Sequence, residues 1–98
     1  METTLTIYRK VGDRVVRRVV EGCFLTVKQR WQQVPQIFMV VPGEHQMVFP
    51  GDRILEGEGG TVENWEGFIP SLVPGLLIPT YAKAFYLDGQ HHHTEAGN

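Results

Sequence analysis

Cysteine, long apolar runs and targeting signals are scarce or missing from this sequence. A single cysteine, Cys23, occurs in 98 residues, so no disulfide can form within the chain, as is typical of a reducing compartment. No stretch approaches the roughly 20 apolar residues of a membrane-spanning helix, and the first residues lack the layout of a signal peptide. We therefore expect a protein made and used inside a cell, with no membrane span. Cys23 lies among hydrophobic residues, which predicts a buried side chain and not a nucleophile.

The spacings that mark common enzyme sites are also missing. There is no nucleophile elbow and no phosphate-binding glycine loop ahead of a helix. The Gly57-Glu58-Gly59-Gly60 segment is not followed by a lysine, and Glu58 would repel an anion. Asp52 and Glu56 leave a two-carboxylate enzyme open, but nothing else in the sequence supports one. We predict no enzymatic activity and no cofactor.

Three adjacent histidines are the one feature that suggests a metal. On a strand, His91, His93 and Glu95 would point the same way, and His45 could supply a fourth ligand. Zinc sites usually draw ligand pairs from two separated elements, whereas the close candidates here share one terminal strand. We expect no required metal and favour a polar edge strand, which protects a sheet against aggregation.

Alternating apolar residues and turn signals predict an all-β fold. The composition, with 42% hydrophobic and 20% charged residues, is typical of a single globular domain, here residues 1–98. We expect a small β-barrel or sandwich of about six strands, with a long loop and at most one short helix. The strands are predicted at Thr3 to Arg9, Val15 to Lys28, Ile37 to Val41, Arg53 to Glu56, Tyr81 to Leu87 and His91 to Ala96.

Three glycine positions predict how these strands turn and bend. Pro50-Gly51 is typical of a type II turn, because proline presets the first central φ and glycine accepts a positive second φ. Asp88-Gly89 indicates a type I′ hairpin. Gly22 interrupts a long strand, which is typical of a β-bulge or a bend.

The connection 57–80 is long, apolar and rich in proline and glycine. Its three prolines leave little room for regular structure, although Thr61 could begin a helix of about two turns. A connection of this length is usually functional or contacts a partner. We expect it either to cover the sheet or to dock on a neighbouring chain. The strand from Ile37 to Val41 is apolar on both faces, so its second face also requires a cover.

Charge is distributed unevenly along the chain. Residues 1–43 carry seven Lys or Arg against three acids, and residues 44–98 carry two against eight. Opposite charges at two edges would favour head-to-tail association of identical copies, although solvated faces are the simpler interpretation. A basic cluster lies near Tyr8 in the sequence and comprises Arg9, Lys10, Arg14, Arg17 and Arg18. This cluster is also compatible with a small oligonucleotide-binding-like β-barrel, and a protein-interaction module is a further alternative.

Several segments together resemble one known family. Thr4-Leu5-Thr6-Ile7-Tyr8 resembles its opening strand, Val19-Val20-Glu21-Gly22-Cys23-Phe24 its second strand, and Pro50-Gly51-Asp52-Arg53-Ile54-Leu55-Glu56-Gly57 its most recognisable block. Asp88-Gly89 with the later His93 is similar to its closing hairpin. The family comprises minor structural proteins of tailed phages and prophages, encoded among the head–tail joining genes.

The resemblance implies a structural protein of the virion neck without enzymatic activity. The chain would be a head-completion or stopper subunit, assembled in the host bacterial cytoplasm into a homo-oligomeric ring, with a hexamer favoured. Its partners would be the neck proteins on the portal-adaptor side and on the tail-terminator side, and the channel would allow non-specific contact with DNA.

For such a ring, we expect a basic strand face to meet an acidic region of the next copy, around an apolar contact. The basic residues are Arg14, Arg17 and Arg18. The acidic residues are Asp52, Glu56, Glu58, Glu63 and Glu66. The apolar residues are Phe38, Val40, Trp65, Phe68, Leu72 and Leu76.

Overall fold

Six antiparallel strands form one open sheet in the computed structural model, which describes residues 2–29 and 34–98. Along the sheet the strand order is β4-β1-β2-β3-β6-β5. The prediction of an all-β fold with about six strands and a long loop is confirmed, but the sheet is open and does not close into a barrel. The strands are β1 Glu2–Val11, β2 Arg14–Lys28, β3 Gln36–Pro42, β4 Arg53–Glu56, β5 Tyr81–Leu87 and β6 Gln90–Gly97.

The end of the connection 57–80 links the two sides of this open sheet. Leu77 exchanges two backbone hydrogen bonds with Ile54 of β4, with N–O distances of 2.8 and 2.9 Å. Three residues later, the Thr80 N–H donates to the carbonyl of Gly97 at the end of β6, at 2.7 Å. The chain therefore runs from β4 at one edge towards β6 and β5 at the other, which curls the sheet around its core.

The connection forms turns and contains no helix, so the helix considered after Thr61 does not form. The N–H groups of Phe68 and Leu72 each donate to a carbonyl three residues earlier, at 3.1 and 3.0 Å. Prolines at 70, 74 and 79 supply no N–H group to extend such a turn into a helix.

Both predicted turns are confirmed in detail. The Asp52 N–H donates to the Phe49 carbonyl at 3.1 Å across Pro50-Gly51, and Gly51 has φ of 89°. These are the features of a type II turn. Asp88 and Gly89 have φ of 52° and 78°, as a type I′ hairpin requires.

The bulge predicted at Gly22 is confirmed by the register of β1 and β2. Thr3 lies opposite Cys23 and Leu5 lies opposite Val20, so two residues of β2 face one residue of β1. Gly22 is in the left-handed region at φ of 72°. The bulge lies just before Phe24, which pairs with both β1 and β3, and from Leu25 to Lys28 the described pairing of β2 is with β3.

The main hydrophobic core lies on one face of the sheet, which we call the inner face. Along β3, Ile37, Met39 and Val41 are buried there, whereas Phe38 and Val40 point the other way and are half-buried. The inner face of β3 is therefore covered, and the expectation of a complete cover on both faces is not met by the described residues. The buried members of this core are Leu5, Ile7, Cys23, Ile37, Met39, Val41, Val48, Ile54 and Ala96.

A second, smaller cluster lies on the opposite, outer face over β1 and β4. Tyr8 is fully buried there against Phe68 and Leu76, and its ring packs edge-on to Phe68 with centroids 4.7 Å apart. The Tyr8 hydroxyl donates to the carbonyl of Gly60 at 2.8 Å. The connection 57–80 thus covers the outer face at this end of the sheet, which is one of the two roles expected for it.

Replacing Gly22 with Ala is expected to lower the free energy of unfolding by about 1 kcal/mol, because a Cβ disfavours the left-handed backbone. A Cβ built at Gly22 meets nothing within 4 Å, so the loss would come from the backbone alone. Urea unfolding measures it. Gly60→Ala is the matched control, since Gly60 also has open space but no positive φ; equal losses in the two variants would contradict the bulge assignment.

Candidate functional site

The outer face over β2, β3, β6 and β5 carries large apolar side chains that belong to neither hydrophobic cluster. Cross-strand pairs place them side by side, because Phe24 lies opposite Val40, and both Phe38 and Tyr81 lie opposite Gly97. The exposed fraction is 40% for Phe24 and 45% for Tyr81. We call this surface the aromatic face, and it consists of Phe24, Phe38, Val40, Tyr81 and Phe85.

Polar side chains at the β5–β6 side of the aromatic face are already engaged with one another. His93 stacks on Phe85 with ring centroids 4.9 Å apart and an interplanar angle of 4°, and its Nε2 lies 3.0 Å from a carboxylate oxygen of Glu95. The Lys83 ammonium lies 5.2 Å from the centre of the Phe85 ring. These contacts fix the orientation of Phe85 within the sheet.

His91 does not share a face with His93 and Glu95, so the predicted convergence of the three side chains is wrong. The register shifts between Phe85 and Tyr86, and His92 is the extra residue of the resulting bulge in β6. The ring of His91 therefore turns towards the inner side, where Nδ1 lies 2.7 Å from the Gly43 carbonyl and Nε2 lies 3.5 Å from the Thr94 hydroxyl. Within residues 2–29 and 34–98, no group of three potential metal ligands occurs.

Asp52 is buried and cannot face a neighbouring copy, which corrects its assignment to the acidic interface. Its carboxylate is 3% exposed and accepts two hydrogen bonds from Arg9, at 2.9 and 2.7 Å. It also accepts the N–H of Phe49 at 2.9 Å, within the type II turn. The hydrogen bond to Asp52 raises the pKa of Arg9 above its ordinary value. Asp52 therefore ties the turn before β4 to β1.

The three predicted interface arginines are all exposed on β2, and none forms an ion pair in the described part of the chain. The Arg17 Nε donates to the Gly59 carbonyl at 2.6 Å. The Nη1 atom of Arg18 lies 3.4 Å from the ring nitrogen Nε2 of His45 and 3.9 Å from the sulfur of Met47. Arg14 is at the exposed start of β2. No carboxylate of residues 2–29 or 34–98 lies within 4.0 Å of their guanidinium groups.

The acidic connection lies beside the basic hairpin within one chain. Lys10 pairs with Glu66 at 3.8 Å, and Gly59 next to Glu58 contacts Arg17. Glu56 and Glu58 are exposed, and Glu56 accepts a hydrogen bond from the Thr3 hydroxyl at 3.0 Å. Glu66, which we expected to face the next copy, thus pairs with Lys10 of its own chain.

The apolar interface candidates separate into buried and exposed residues. Phe68 and Leu76 are buried against Tyr8, so they stabilise the fold and are unavailable to a neighbour. Trp65 is half-buried, and the Arg53 guanidinium lies 3.8 Å from the centre of its ring. Leu72 is 67% exposed and remains a candidate, together with Phe38 and Val40.

Sequence reasoning missed Phe24, Tyr81 and Phe85 as members of a common surface. The period-two alternation of β5 places Tyr81 and Phe85 on one face of that strand, and the position of Phe24 after the bulge indicates its face on β2. Only the strand order, however, shows that these faces belong to one sheet surface. Among the described residues no helix is long and apolar enough to cross a membrane. Comparison of the chain with protein-family models, with curated proteins and with solved structures finds no match.

Replacing Asp52 with Asn should lower the free energy of unfolding by about 2 kcal/mol, because hydrogen bonds to a buried charged group are lost. Thermal or urea unfolding measures the change. Glu56→Gln makes the same chemical change at an exposed position and is expected to stay within about 0.5 kcal/mol of the parent. If both variants lose equally little, Asp52 does not hold the turn.

Proposed function

We propose that this chain is a non-enzymatic structural subunit that assembles with copies of itself into a ring in the neck of a tailed-phage virion. The observation that carries the proposal is the aromatic face, a set of partly exposed apolar side chains outside both hydrophobic clusters. Clustered exposed apolar side chains mark interaction surfaces, and Phe and Tyr are enriched where interfaces are buried. Contact with an apolar surface on a protein partner accounts for the exposure of these side chains.

Leu72 supplies the complementary contact on the neighbouring copy. It lies in a turn of the connection, where its N–H donates to the Ile69 carbonyl, and its side chain is 67% exposed. This connection covers the outer face over β1 and β4, while the aromatic face lies over the other strands. Contact between the two different surfaces is heterologous, and heterologous contacts build a closed ring when the rotation between copies divides a full turn.

The location in the neck rests on the resemblance of the sequence segments. The most recognisable of them, from Pro50 to Gly57, folds into the type II turn, β4 and the start of the connection. In the proposed ring, β4 positions the connection that carries Leu72. The ring, favoured as a hexamer, would join the proteins on the portal-adaptor side to those on the tail-terminator side after assembly in the bacterial cytoplasm.

A disulfide test distinguishes the proposed head-to-tail contact from face-to-face packing. In a Cys23→Ser background, Phe24→Cys and Leu72→Cys are made as separate proteins and mixed. Oxidation is expected to cross-link one variant to the other, with little cross-linking of either alone. Non-reducing electrophoresis and mass spectrometry measure the products. Even without the serine substitution, the native Cys23 thiol would compete weakly for disulfide formation. Burial raises the pKa of Cys23 to about 11, so little of the reactive thiolate is present.

Two results would contradict the contact. Efficient linking of Phe24→Cys to itself would indicate an isologous dimer, and no linking at concentrations where light scattering detects oligomers would place the interface elsewhere. Val11→Cys mixed with Leu72→Cys is the control, because Val11 is similarly exposed but lies at the tip of the β1–β2 hairpin.

Loss of the protein from phage-producing cells is expected to yield DNA-filled heads and separate tails, because the joint between them is missing. Electron microscopy of the lysate measures the ratio of joined to separate particles. Restoring the parent chain should restore joined particles, whereas Phe24→Lys should restore fewer than Val11→Lys. Normal tailed particles in the absence of the protein would refute the neck location.

A further inference from the structure

The first half of β2 has a free edge in the described structure. Gly12 and Asp13 form a two-residue turn, so the flanking residues Val11 and Arg14 are a hydrogen-bonded pair of the hairpin. Hydrogen-bonded and non-hydrogen-bonded pairs alternate along an antiparallel ladder. The backbone N–H and C=O groups of Val15, Arg17 and Val19 therefore point away from β1. β3 pairs with β2 only between Phe24 and Lys28.

The same alternation is visible on the other side of β1. The Thr4 carbonyl points away from β2 and accepts the Gly57 N–H at 2.7 Å, as the alternation requires. At the edge of the sheet, Ile54 likewise points away from β1 and pairs with Leu77. The outer edge of β4 is therefore partly capped by Leu77, whereas the described residues leave the edge from Val15 to Val19 without a partner strand.

A slot of about 300 Å³ lies on the inner side of this edge. Its apolar walls are Ile7, Val16, Met47 and Phe49, and Arg9 and Arg18 supply its positive charges. Arg9 is neutralised by Asp52, whereas Arg18 has no carboxylate partner among the described residues. The slot therefore offers space for one apolar side chain beside a cation that is available to an acid.

We propose that this edge binds an extended acidic segment of another protein, which adds to the sheet as a strand next to β2. Backbone groups of the segment would pair with those of Val15, Arg17 and Val19. One of its apolar side chains would enter the slot, and an Asp or Glu two positions away would contact Arg18, because residues two apart share a face of a strand.

The charges and the geometry favour a peptide over a nucleic acid. Arg14, Arg17 and Arg18 lie within five residues and form no ion pair with the described part of the chain, so a negatively charged partner is favoured. Nucleic-acid backbones have no repeating donors and acceptors at the spacing of a strand edge, whereas an extended peptide has them. This site is separate from the aromatic face and does not depend on the proposed ring.

Selection of displayed random octapeptides against the full chain tests the proposal. We expect enrichment of sequences in which an acidic and an apolar residue are two positions apart. For an enriched synthetic peptide, Arg18→Gln should weaken binding roughly tenfold, since a charge-assisted contact is lost. Lys28→Gln is the matched control, because Lys28 is exposed on the half of β2 that already pairs with β3. Calorimetry measures the affinities.

Backbone methylation of the peptide tests strand addition without altering the protein. Two versions are made, each N-methylated at alternate residues, and only the version whose blocked N–H groups face β2 should lose binding. Retention of binding by both versions would overturn strand addition. Enrichment without acidic residues, or binding of a short single-stranded oligonucleotide while no peptide binds, would overturn the proposed acidic peptide.

Discussion

The ion pair between the partly exposed Arg9 and the buried Asp52 is the interaction on which the arrangement of this sheet most depends. It joins β1 to the type II turn, and the turn begins β4 and hence the connection 57–80. Because Asp52 accepts bonds from both Arg9 and the Phe49 backbone, its position fixes how β4 enters the edge of the sheet. The position of β4 in turn determines where Ile54 pairs with Leu77 and where the connection packs on Tyr8.

Local chemistry was sufficient to predict the strands, both turns and the bulge. Pro50-Gly51, Asp88-Gly89 and Gly22 each impose a φ that neighbouring residues cannot override at low cost, so the sequence alone locates them. The strand order could not be predicted, because β3 pairs with β6 and β1 with β4 across long stretches of chain. The curvature of the sheet depends on the same distant contacts, so the sequence left a barrel and a sandwich open and did not indicate the single open sheet that is found.

The candidate site was predicted in part, and the failures share a physical cause. Asp52, Phe68 and Leu76 were assigned to an interface because charge and hydrophobicity alone do not distinguish a partner in another copy from a partner in the same chain. The structure supplies those partners as Arg9 and Tyr8. A one-residue register shift likewise moves His91 away from His93. In contrast, Phe38 and Val40 remain partly exposed, as an apolar outer face on β3 indicated.

The change of partner along β2 divides the strand into two parts with different constraints. After the bulge at Gly22 the strand passes from β1 to β3, because Cys23 and Phe24 still pair with β1 whereas Phe24 to Lys28 pair with β3. Before the bulge it belongs to a hairpin whose tip, at Gly12 and Asp13, is exposed. Residue pairs can therefore be added to this hairpin without changing the register of the core. Insertions at this tip would change the length and charge of the strand edge while the buried part of the sheet keeps its packing.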